Sequence, residues 1–521
     1  MNPPKPSAPA TPFSNQPDES QSAETQPLAD HSMHMSREAF LREGRRMLEL
    51  VADYLEQGDA RPVMPDTKPG DVAAMLPDAI DEHPAADAWP GIFDDIDRAV
   101  MPHTMHWQSP AFFGYFPCNT SGPAVLGELL AAGMGVQGML WQTAPAANEI
   151  ERVLLDQMAR AMRLPERFLS DTPNGGGCIQ PTASDSTLVG LVAARARVLE
   201  RTDADPSSLT VYASAQSHSS VTKAAMIAGL ARGPDDLARV RLIGTDDTHR
   251  LDPAALAEAI ARDLDAGLTP AFVCATMGTT GVTAVDQIDE VARVMAQSGI
   301  VDRGAWLHVD AAHAGVLLLC DEFRWMAAGL DHADSLCINP HKWLLTTFDC
   351  DLFWTADRRT LTRSLAITPE YLRNDATEAG AETGAVFDYR DWGVPLGRRF
   401  RAAKLWFVLR HYGLANLRAY LLEHVRLARV FESLVAGDER FEILAPRTMN
   451  LVCFALRAGD APTRELMASV NSTGRAFLTH TTVPTSTGDR YVIRMAIGAV
   501  ATREEHVRDT WSLISRLAPN G

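Results

Sequence analysis

Asp310 and Lys342 are the two residues of this 521-residue chain whose types and surroundings first suggest chemistry. Asp310 closes the apolar run 306–309, and Lys342 follows the apolar run that begins at Leu336. In open α/β sheets, ligands bind at the carboxyl ends of the strands, so both side chains could face one pocket. There an amine can form an imine with a carbonyl compound, and a carboxylate can hold a heterocyclic nitrogen protonated. A structural ion pair is the simpler alternative for these two residues alone.

A glycine-rich stretch that runs into hydroxyl residues predicts a phosphate site. Residues 175–177 are glycines, and Thr182, Ser184, Ser186 and Thr187 follow at the predicted start of a helix. Backbone amides and hydroxyls that converge at a helix N-terminus stabilise a phosphate group. The stretch lacks both the Gly-Lys-Ser/Thr end of a nucleoside triphosphate loop and the GxGxxG dinucleotide fingerprint. The alternative is an N-capped surface helix.

A phosphate cradle, an amine and a carboxylate together predict a site for pyridoxal phosphate. The Lys342 amine would form an imine with the aldehyde, and Asp310 would keep the pyridine nitrogen protonated, so that the ring accepts electrons from a carbanion. His218 follows an apolar run and could stack on that ring. A capped loop histidine is the alternative for His218.

Alternating apolar runs and helical patterns between about residues 120 and 354 predict the sheet that positions these groups. The runs are 209–213, 240–244, 271–276, 306–310, 335–339 and 351–354, with helical patterns at 219–230, 253–265 and 286–297. Most runs are apolar on both faces, which is typical of a parallel sheet covered by helices on both sides. After about residue 410, two long helical patterns and strands at 451–456 and 491–497 predict a smaller α+β domain.

Composition limits the function classes. The chain has 48 Lys and Arg against 66 Asp and Glu, a net charge of −18, which disfavours nucleic acid and membrane surfaces as partners. Its seven cysteines include no CxxC pair, which indicates reduced thiols in the cytosol. No apolar run reaches the roughly 20 residues of a membrane helix, and no signal peptide is recognisable. We predict a soluble cytoplasmic protein whose proline-rich residues 1–35 are disordered.

A set of motifs resembles the group II pyridoxal-phosphate decarboxylases, and within them the aromatic L-amino acid decarboxylases. The motifs are Asn-Pro-His-Lys-Trp-Leu-Leu at 339–345, His-Val-Asp-Ala-Ala-His-Ala-Gly at 308–315, Gly-Thr-Thr at 278–280, His-Ser-Ser at 218–220, Ser-Pro-Ala-Phe-Phe-Gly-Tyr-Phe-Pro at 109–117, and Asp-Tyr-Arg-Asp-Trp at 388–392 followed by Pro-Leu-Gly-Arg-Arg-Phe at 395–400. The resemblance runs from about residue 36 to the end of the chain. Each motif alone is weak, but the combination is specific.

The resemblance implies fold type I of the pyridoxal-phosphate-dependent transferases, the aspartate aminotransferase-like α/β fold. Such a fold has a central, mostly parallel sheet, a smaller C-terminal α+β domain and an N-terminal helical segment. The implied limits are a disordered tail at 1–35, a helical dimerisation segment at 36–119, a large cofactor domain at 120–410 and a small domain at 411–521. The resemblance also implies a homodimer with active sites at the subunit interface.

The same resemblance implies the roles of individual residues. Lys342 would be the imine lysine, Asp310 the partner of the pyridine nitrogen and His218 the stacking residue, with Ala312 on the opposite ring face. Ala183, Ser184 and Asn339 would hold the phosphate, and Thr280 and His341 would line the site. Trp107, Tyr115, Phe116 and Pro117, with His218 and His341, would line the substrate pocket.

The implied reaction is decarboxylation of an aromatic L-amino acid to the amine and carbon dioxide, through an external aldimine and a quinonoid. Tyr371 lies before a stretch rich in Ala, Glu, Thr and Gly that suits a mobile lid. By resemblance it would be the proton donor to Cα, since relatives with Phe there tend to make aldehydes.

Other interpretations remain open at this stage. An aldehyde synthase, or a decarboxylase of glutamate, aspartate or histidine, would use the same cofactor. A metal site at His308, Asp310 and His313 would leave Lys342 without a role, and we predict no metal. Cys118, Gln137, Met139 and His313 depart from the usual pattern, His313 standing in place of a tyrosine. The preferred substrate is open among DOPA, 5-hydroxytryptophan, tryptophan, tyrosine and phenylalanine.

Overall fold

The structure, a computed structural model, describes residues 35–56, 58, 61–80, 82, 87–367, 386–486 and 488–519. The chain divides into two units, residues 1–53 and residues 54–521. Helix α1, Arg37–Glu56, contains nearly all the described residues of the first unit. The predicted tail lies outside the described residues except for residue 35, and the domain limits stay predictions.

Helices and strands alternate through the middle of the chain. The α-helices after α1 are α2 (Trp89–Asp95), α3 (Gly122–Met134), α4 (Pro145–Ala161), α5 (Ala183–Arg201), α6 (Ser220–Ile227), α7 (Pro253–Asp265), α8 (Ile288–Gln297), α9 (Pro340–Trp343), α10 (Arg358–Leu365), α11 (Ala402–Ala436), α12 (Asp460–Ser472) and α13 (Glu504–Leu517). The strands are β1 (Gly176–Gln180), β2 (Leu209–Ser214), β3 (Val240–Ile243), β4 (Thr269–Thr276), β5 (Trp306–Asp310), β6 (Ser335–Ile338), β7 (Asp351–Thr355), β8 (Phe441–Ile443), β9 (Leu451–Leu456), β10 (Thr479–Thr485) and β11 (Gly488–Ala496). None of these helices is both long and apolar enough to cross a membrane.

The central sheet has the strand order β1-β7-β6-β5-β4-β2-β3. Strands β2 to β6 pair in parallel, whereas β7 is antiparallel to both β6 and β1. The link from β6 to β7 contains only the four-residue helix α9, which is too short to cross the sheet face, so β7 returns in the opposite direction. The predicted mostly parallel sheet with helices on both faces is confirmed.

The glycine-rich stretch contains a strand that the sequence analysis did not predict. All five residues of β1 are buried. A Cβ added at Gly176 would lie 2.8 Å from Trp392, and one at Gly177 would lie 2.9 Å from the Phe353 carbonyl oxygen. The glycines therefore allow β1 to pack closely against its neighbours, which is a reason independent of phosphate binding.

A second sheet lies in the C-terminal part of the chain, as predicted. Its four strands are antiparallel in the order β10-β11-β9-β8. Helices α11 and α12 pack on it, and α13 packs against these two helices. Helix α11 begins at Ala402, before the predicted limit at residue 410, and it bends at Gly413, where φ is 68°.

Several residues that were predicted to belong to the active site lie at one edge of the central sheet. The carboxyl ends of β2, β4, β5 and β6 meet there because these strands are parallel. Asp310 ends β5, and Asn339 directly follows β6. Because β7 runs the other way, its first residue, Asp351, lies at this same edge.

Candidate active site

A cavity of about 220 Å³ lies at this edge of the sheet. Predicted site residues on its wall are Phe116, Ala183, Ser184, His218, Thr280, Asp310, Ala312, Asn339, His341 and Lys342. Thr182, from the predicted phosphate stretch, also lines it, as do residues that were given no role in the site, namely Thr276, Gly278, His313 and Phe348. Tyr371 lies outside the described residues, so its role stays a prediction.

The Asp310 carboxylate is fixed by its own strand and the turn that follows. Its Oδ1 accepts a hydrogen bond from the Ala312 amide at 3.0 Å, and the Cys337 Sγ lies 3.8 Å from the same oxygen. The Asp310 carbonyl oxygen accepts from the Met277 amide at 2.8 Å. Asp310 is therefore held at the cavity wall by backbone contacts on both sides.

Lys342 reaches the same cavity from the short helix α9. Its amide donates to the Asn339 carbonyl at 3.0 Å, and its carbonyl accepts from Asn119 Nδ2 at 3.1 Å. Burial lowers the pKa of the Lys342 ammonium, although the nearby Asp310 carboxylate opposes the shift. A lowered pKa increases the fraction of free amine, the form that attacks a carbonyl carbon.

The first turn of α5 forms a cradle for an anion. A capping box holds its start, because the Asp185 carboxylate accepts from the Thr182 amide at 3.1 Å and from the Thr182 hydroxyl at 2.7 Å. The Ala183 and Ser184 amides, in that first turn, have no acceptor within the helix itself. Such amides and the positive end of the helix dipole favour a phosphate group.

Asn339 supplies an independent test of whether a cofactor fits this cavity. Asn339 is 3% exposed, and its Oδ1 has no hydrogen-bond partner among the described residues. A buried polar group without a partner costs free energy, and a 180° flip of the amide would present a donor in its place. Together with the amides of α5, the Lys342 amine and the Asp310 carboxylate, this group fits pyridoxal phosphate.

His218 is positioned to remain neutral. Its Nδ1 accepts from the Ser220 amide at 3.1 Å, so the proton of the neutral ring is on Nε2. Partial burial lowers the pKa of His218, and the charges of Lys342 and Lys223 act in the same direction, against Asp310. A neutral, flat ring suits stacking on an aromatic cofactor.

His313 lines the cavity, and two aromatic rings and one hydrogen bond fix the position of its own ring. Its ring stacks on Phe116 with centroids 3.8 Å apart and on Trp343 with centroids 4.9 Å apart. Asn450 Nδ2 donates to the Ile497 carbonyl at 2.8 Å, so the Asn450 Oδ1 faces His313 Nε2 at 2.9 Å. This contact places the His313 proton on Nε2. In the sequence, His313 was marked only as a histidine in place of the usual tyrosine and as a candidate metal ligand.

The aromatic segment forms a wall of which only part reaches the cavity. The Trp107 and Tyr115 rings are stacked with centroids 5.6 Å apart, and Tyr115 is 53% exposed. Phe116 lines the cavity, and the Lys342 Nζ lies 5.7 Å from its ring centroid. Trp107, Tyr115 and Pro117 are not on the cavity wall, so their contact with a substrate stays a prediction.

The metal alternative gains no support. The Nε2 of His308 lies 3.8 Å from Cys337 Sγ, and its Nδ1 lies 2.8 Å from Ser335 Oγ. His313 is occupied by Asn450. Within the described ranges, no three His, Cys, Asp or Glu side chains are grouped so that they could hold a metal ion.

Acid should destabilise the folded chain through four buried histidines. Burial lowers the pKa of His308 and His424 to about 4 and that of His313 and His341 to about 3. When the pH falls below about 6.5, the ordinary pKa of histidine, these side chains bind more protons in the unfolded chain than in the folded chain. The contribution of each histidine to stability is therefore complete above about pH 6.5 and is lost as the pH falls toward its folded pKa. Each contributes a slope of up to about 1.4 kcal/mol per pH unit.

The variant His313→Gln tests this expectation, because glutamine keeps a donor for Asn450 and cannot titrate. The free energy of unfolding would be measured by urea titration at several pH values between about 5.5 and 4.5. Its decrease per pH unit should be smaller in the variant than in the unchanged chain by about 1.4 kcal/mol. Equal slopes would show that His313 is protonated in the folded state. The loss of ring stacking lowers the free energy of unfolding of the variant at every pH, so the difference in pH dependence can still be measured.

The sequence of this chain is similar to a known protein family and to individual known proteins. The model of the "pyridoxal-dependent decarboxylase conserved domain" matches residues 69–457. Phenylacetaldehyde synthase of Arabidopsis thaliana is 42% identical over 492 residues, covering 93% of this chain and 96% of the relative. Tryptophan decarboxylase 2 of Oryza sativa subsp. japonica is 42% identical over 479 residues, covering 90% and 93%.

The structure of this chain is also similar to a solved structure. The Oryza sativa protein named TDC, crystallised with PLP and tryptamine, superposes with a TM-score of 0.87 at 39% identity. The superposition covers 95% of this chain and 99% of that one. The likeness therefore extends over both sheets and over the cavity at the edge of the central sheet.

Proposed function

This chain belongs to the pyridoxal-dependent decarboxylase family, and we propose that it converts an aromatic L-amino acid into the corresponding amine and carbon dioxide. Its fold is fold type I of the pyridoxal-phosphate enzymes, and pyridoxal phosphate is its cofactor. One observation carries the proposal. A single cavity holds an amine, a carboxylate and a helix N-terminus, those of Lys342, Asp310 and α5.

The mechanism assigns a task to each of these residues. Bound pyridoxal phosphate supplies an aldehyde and a ring that accepts the electron pair left on Cα. Lys342 would hold it through Nζ, and the Asp310 carboxylate would hold a proton at the pyridine nitrogen. His218 and Ala312 would orient the ring, and Phe116 would help to exclude water. Tyr371 donates a proton to Cα after carbon dioxide has left, which completes the amine.

An aromatic substrate is supported by the character of the nearby side chains. Trp107, Tyr115 and Phe116 offer aromatic surface. Besides Lys342, Arg494 is a buried cation beside this wall, with its guanidinium carbon 5.2 Å from the Phe116 ring centroid. Its Nε and Nη2 donate to the carbonyls of Gly281 and Thr280, and its Nη1 donates to the Thr479 hydroxyl. These bonds direct three of the five N–H groups of Arg494 to protein acceptors, which disfavours its pairing with an acidic substrate side chain.

A substrate panel tests the assignment. DOPA, 5-hydroxytryptophan, tryptophan, tyrosine, phenylalanine, glutamate, aspartate and histidine would be followed for carbon dioxide release. We expect kcat/KM for the best aromatic substrate to exceed that for glutamate by at least about 100-fold, since a buried carboxylate without a partner costs several kcal/mol. A higher value for glutamate, aspartate or histidine would overturn the aromatic assignment.

Aldehyde formation is the second candidate, favoured by the relative named phenylacetaldehyde synthase. Tyr371 argues for the amine, because a proton donor at Cα ends the reaction before oxygen can react. The variant Tyr371→Phe should lower the yield of amine per carbon dioxide by about tenfold or more and produce aldehyde, ammonia and hydrogen peroxide. If this variant forms amine as efficiently as the unchanged chain, Tyr371 is not the donor.

We also infer that the chain acts as a cytoplasmic homodimer. Leu126, Leu129, Leu130 and Met134 lie on one face of α3 and are 39% to 53% exposed. A contiguous apolar face of this kind is typical of an oligomer interface. All seven cysteines are free thiols, as in a reducing compartment. Light scattering should give twice the chain mass, and a monomer that remains active would contradict the inference.

A further inference from the structure

Asp351 is a fully buried acid at the edge of the sheet that carries the proposed site. It is the first residue of β7 and pairs with Gln180, the last residue of β1. From Gln180 the chain reaches α5 through only two residues, 181 and 182. Asp351 is 0% exposed, and the mechanism above gives it no task. It therefore lies beneath the helix start that was assigned to the phosphate.

The contacts of Asp351 join it to that helix. The hydroxyl of Ser186, itself 0% exposed and in the first turn of α5, donates to Asp351 Oδ2. The other oxygen, Oδ1, is buried and finds no hydrogen-bond partner in the part of the chain that the structure describes. No salt bridge to Asp351 occurs among those residues either. A carboxylate anion with one bare oxygen would cost several kcal/mol here, whereas a neutral acid costs much less.

The surrounding charges agree with a neutral acid. Burial raises the pKa of Asp351 well above its ordinary value, and the carboxylates of Asp310 on β5 and Asp185 on α5 raise it further. Ser186 and the Lys342 ammonium act in the opposite direction. A negative charge at this place would also repel a phosphate group bound at α5.

We propose that Asp351 is a positioning residue for the cofactor: its neutral carboxyl group, through Ser186, fixes the first turn of α5 against the sheet so that the Ala183 and Ser184 amides face the phosphate. The inference rests on the proposed cofactor site but not on the reaction. Its readout is the affinity for pyridoxal phosphate, so it can fail while decarboxylation stands. A chain that bound no pyridoxal phosphate would instead overturn the proposed function.

The test compares dissociation constants for pyridoxal phosphate, measured by titrating the apoprotein and following visible absorbance at pH 7. Asp351→Asn keeps the shape and remains neutral, so its dissociation constant should stay within about threefold of the unchanged value. Ser186→Ala removes the hydrogen bond from α5 to Asp351 and should weaken the binding of pyridoxal phosphate roughly tenfold. Asp351→Ala should weaken binding at least as much; if it does not fold, Asp351→Asn and Ser186→Ala decide the matter.

A matched control comes from a second buried serine–aspartate pair away from the cavity. The Ser170 hydroxyl donates to Asp156 Oδ2 at 2.5 Å, and both residues are buried. Ser170→Ala should lower the thermal unfolding midpoint and leave the dissociation constant unchanged. Three results would overturn the proposal: unchanged affinity in Ser186→Ala, affinity in Asp351→Asn as weak as in Ser186→Ala, or binding by Asp351→Asn tightened tenfold or more, which would mean a charged carboxylate.

Discussion

Replacement of Lys342 by alanine should remove the visible absorbance of the cofactor imine and abolish multiple turnover. Lys342 is the lysine on the wall of the cavity, and alanine offers no nucleophile for the aldehyde. Loss of a covalent nucleophile typically costs many orders of magnitude in rate, and we expect a decrease of at least about 10⁴-fold in kcat. Absorbance spectra and steady-state assays with an aromatic amino acid measure both effects.

The matched control for this experiment is Lys68→Ala, which removes an exposed lysine outside the cavity. It should retain the imine absorbance and the turnover of the unchanged chain. Borohydride reduction followed by peptide mass spectrometry should place the cofactor on the peptide that contains Lys342. Turnover that persists in Lys342→Ala at the unchanged rate would contradict the assignment.

Replacement of Asp310 by asparagine should lower kcat by roughly 10³-fold, which corresponds to about 4 kcal/mol in the activation barrier. Asparagine has no negative charge to hold a proton at the pyridine nitrogen, so the ring accepts electrons poorly. Its Oδ1 can still accept from the Ala312 amide, the contact that Asp310 makes at 3.0 Å. The substitution therefore isolates the charge from the geometry.

Two measurements separate these contributions in Asp310→Asn. The thermal unfolding midpoint should remain close to that of the unchanged chain, because the contact to Ala312 is retained. kcat should fall even when pyridoxal phosphate is saturating. A kcat within tenfold of the unchanged value would mean that Asp310 is not the partner of the pyridine nitrogen.

Much of the site was predictable because local sequence marks where strands end. Asp310 and Asn339 close apolar runs, and the parallel order of β5 and β6 brings such residues to one edge. The resemblance of motifs then gave each residue a role. Short segments of sequence were therefore enough to predict that these residues lie at one edge of the sheet, whereas their roles stay predictions.

Contacts between distant segments were not predictable in this way. Ser186 and Asp351 are 165 residues apart, and only the antiparallel entry of β7 brings them together. Phe348 reaches the cavity from the loop between α9 and β7, and no periodicity marks it. The strand β1 was not predicted, and its glycines allow close packing against Trp392 and Phe353, two residues far away in the sequence. Such features depend on tertiary structure rather than on local pattern.

The central claim, that an aromatic L-amino acid becomes an amine, is tested most directly by product stoichiometry. The holoprotein would react with its best aromatic substrate in D₂O, and carbon dioxide, amine, aldehyde and hydrogen peroxide would be quantified together. We predict equal amounts of carbon dioxide and amine, a single deuterium at Cα of the amine, and no hydrogen peroxide. Release of carbon dioxide with aldehyde and hydrogen peroxide in place of the amine would contradict the claim.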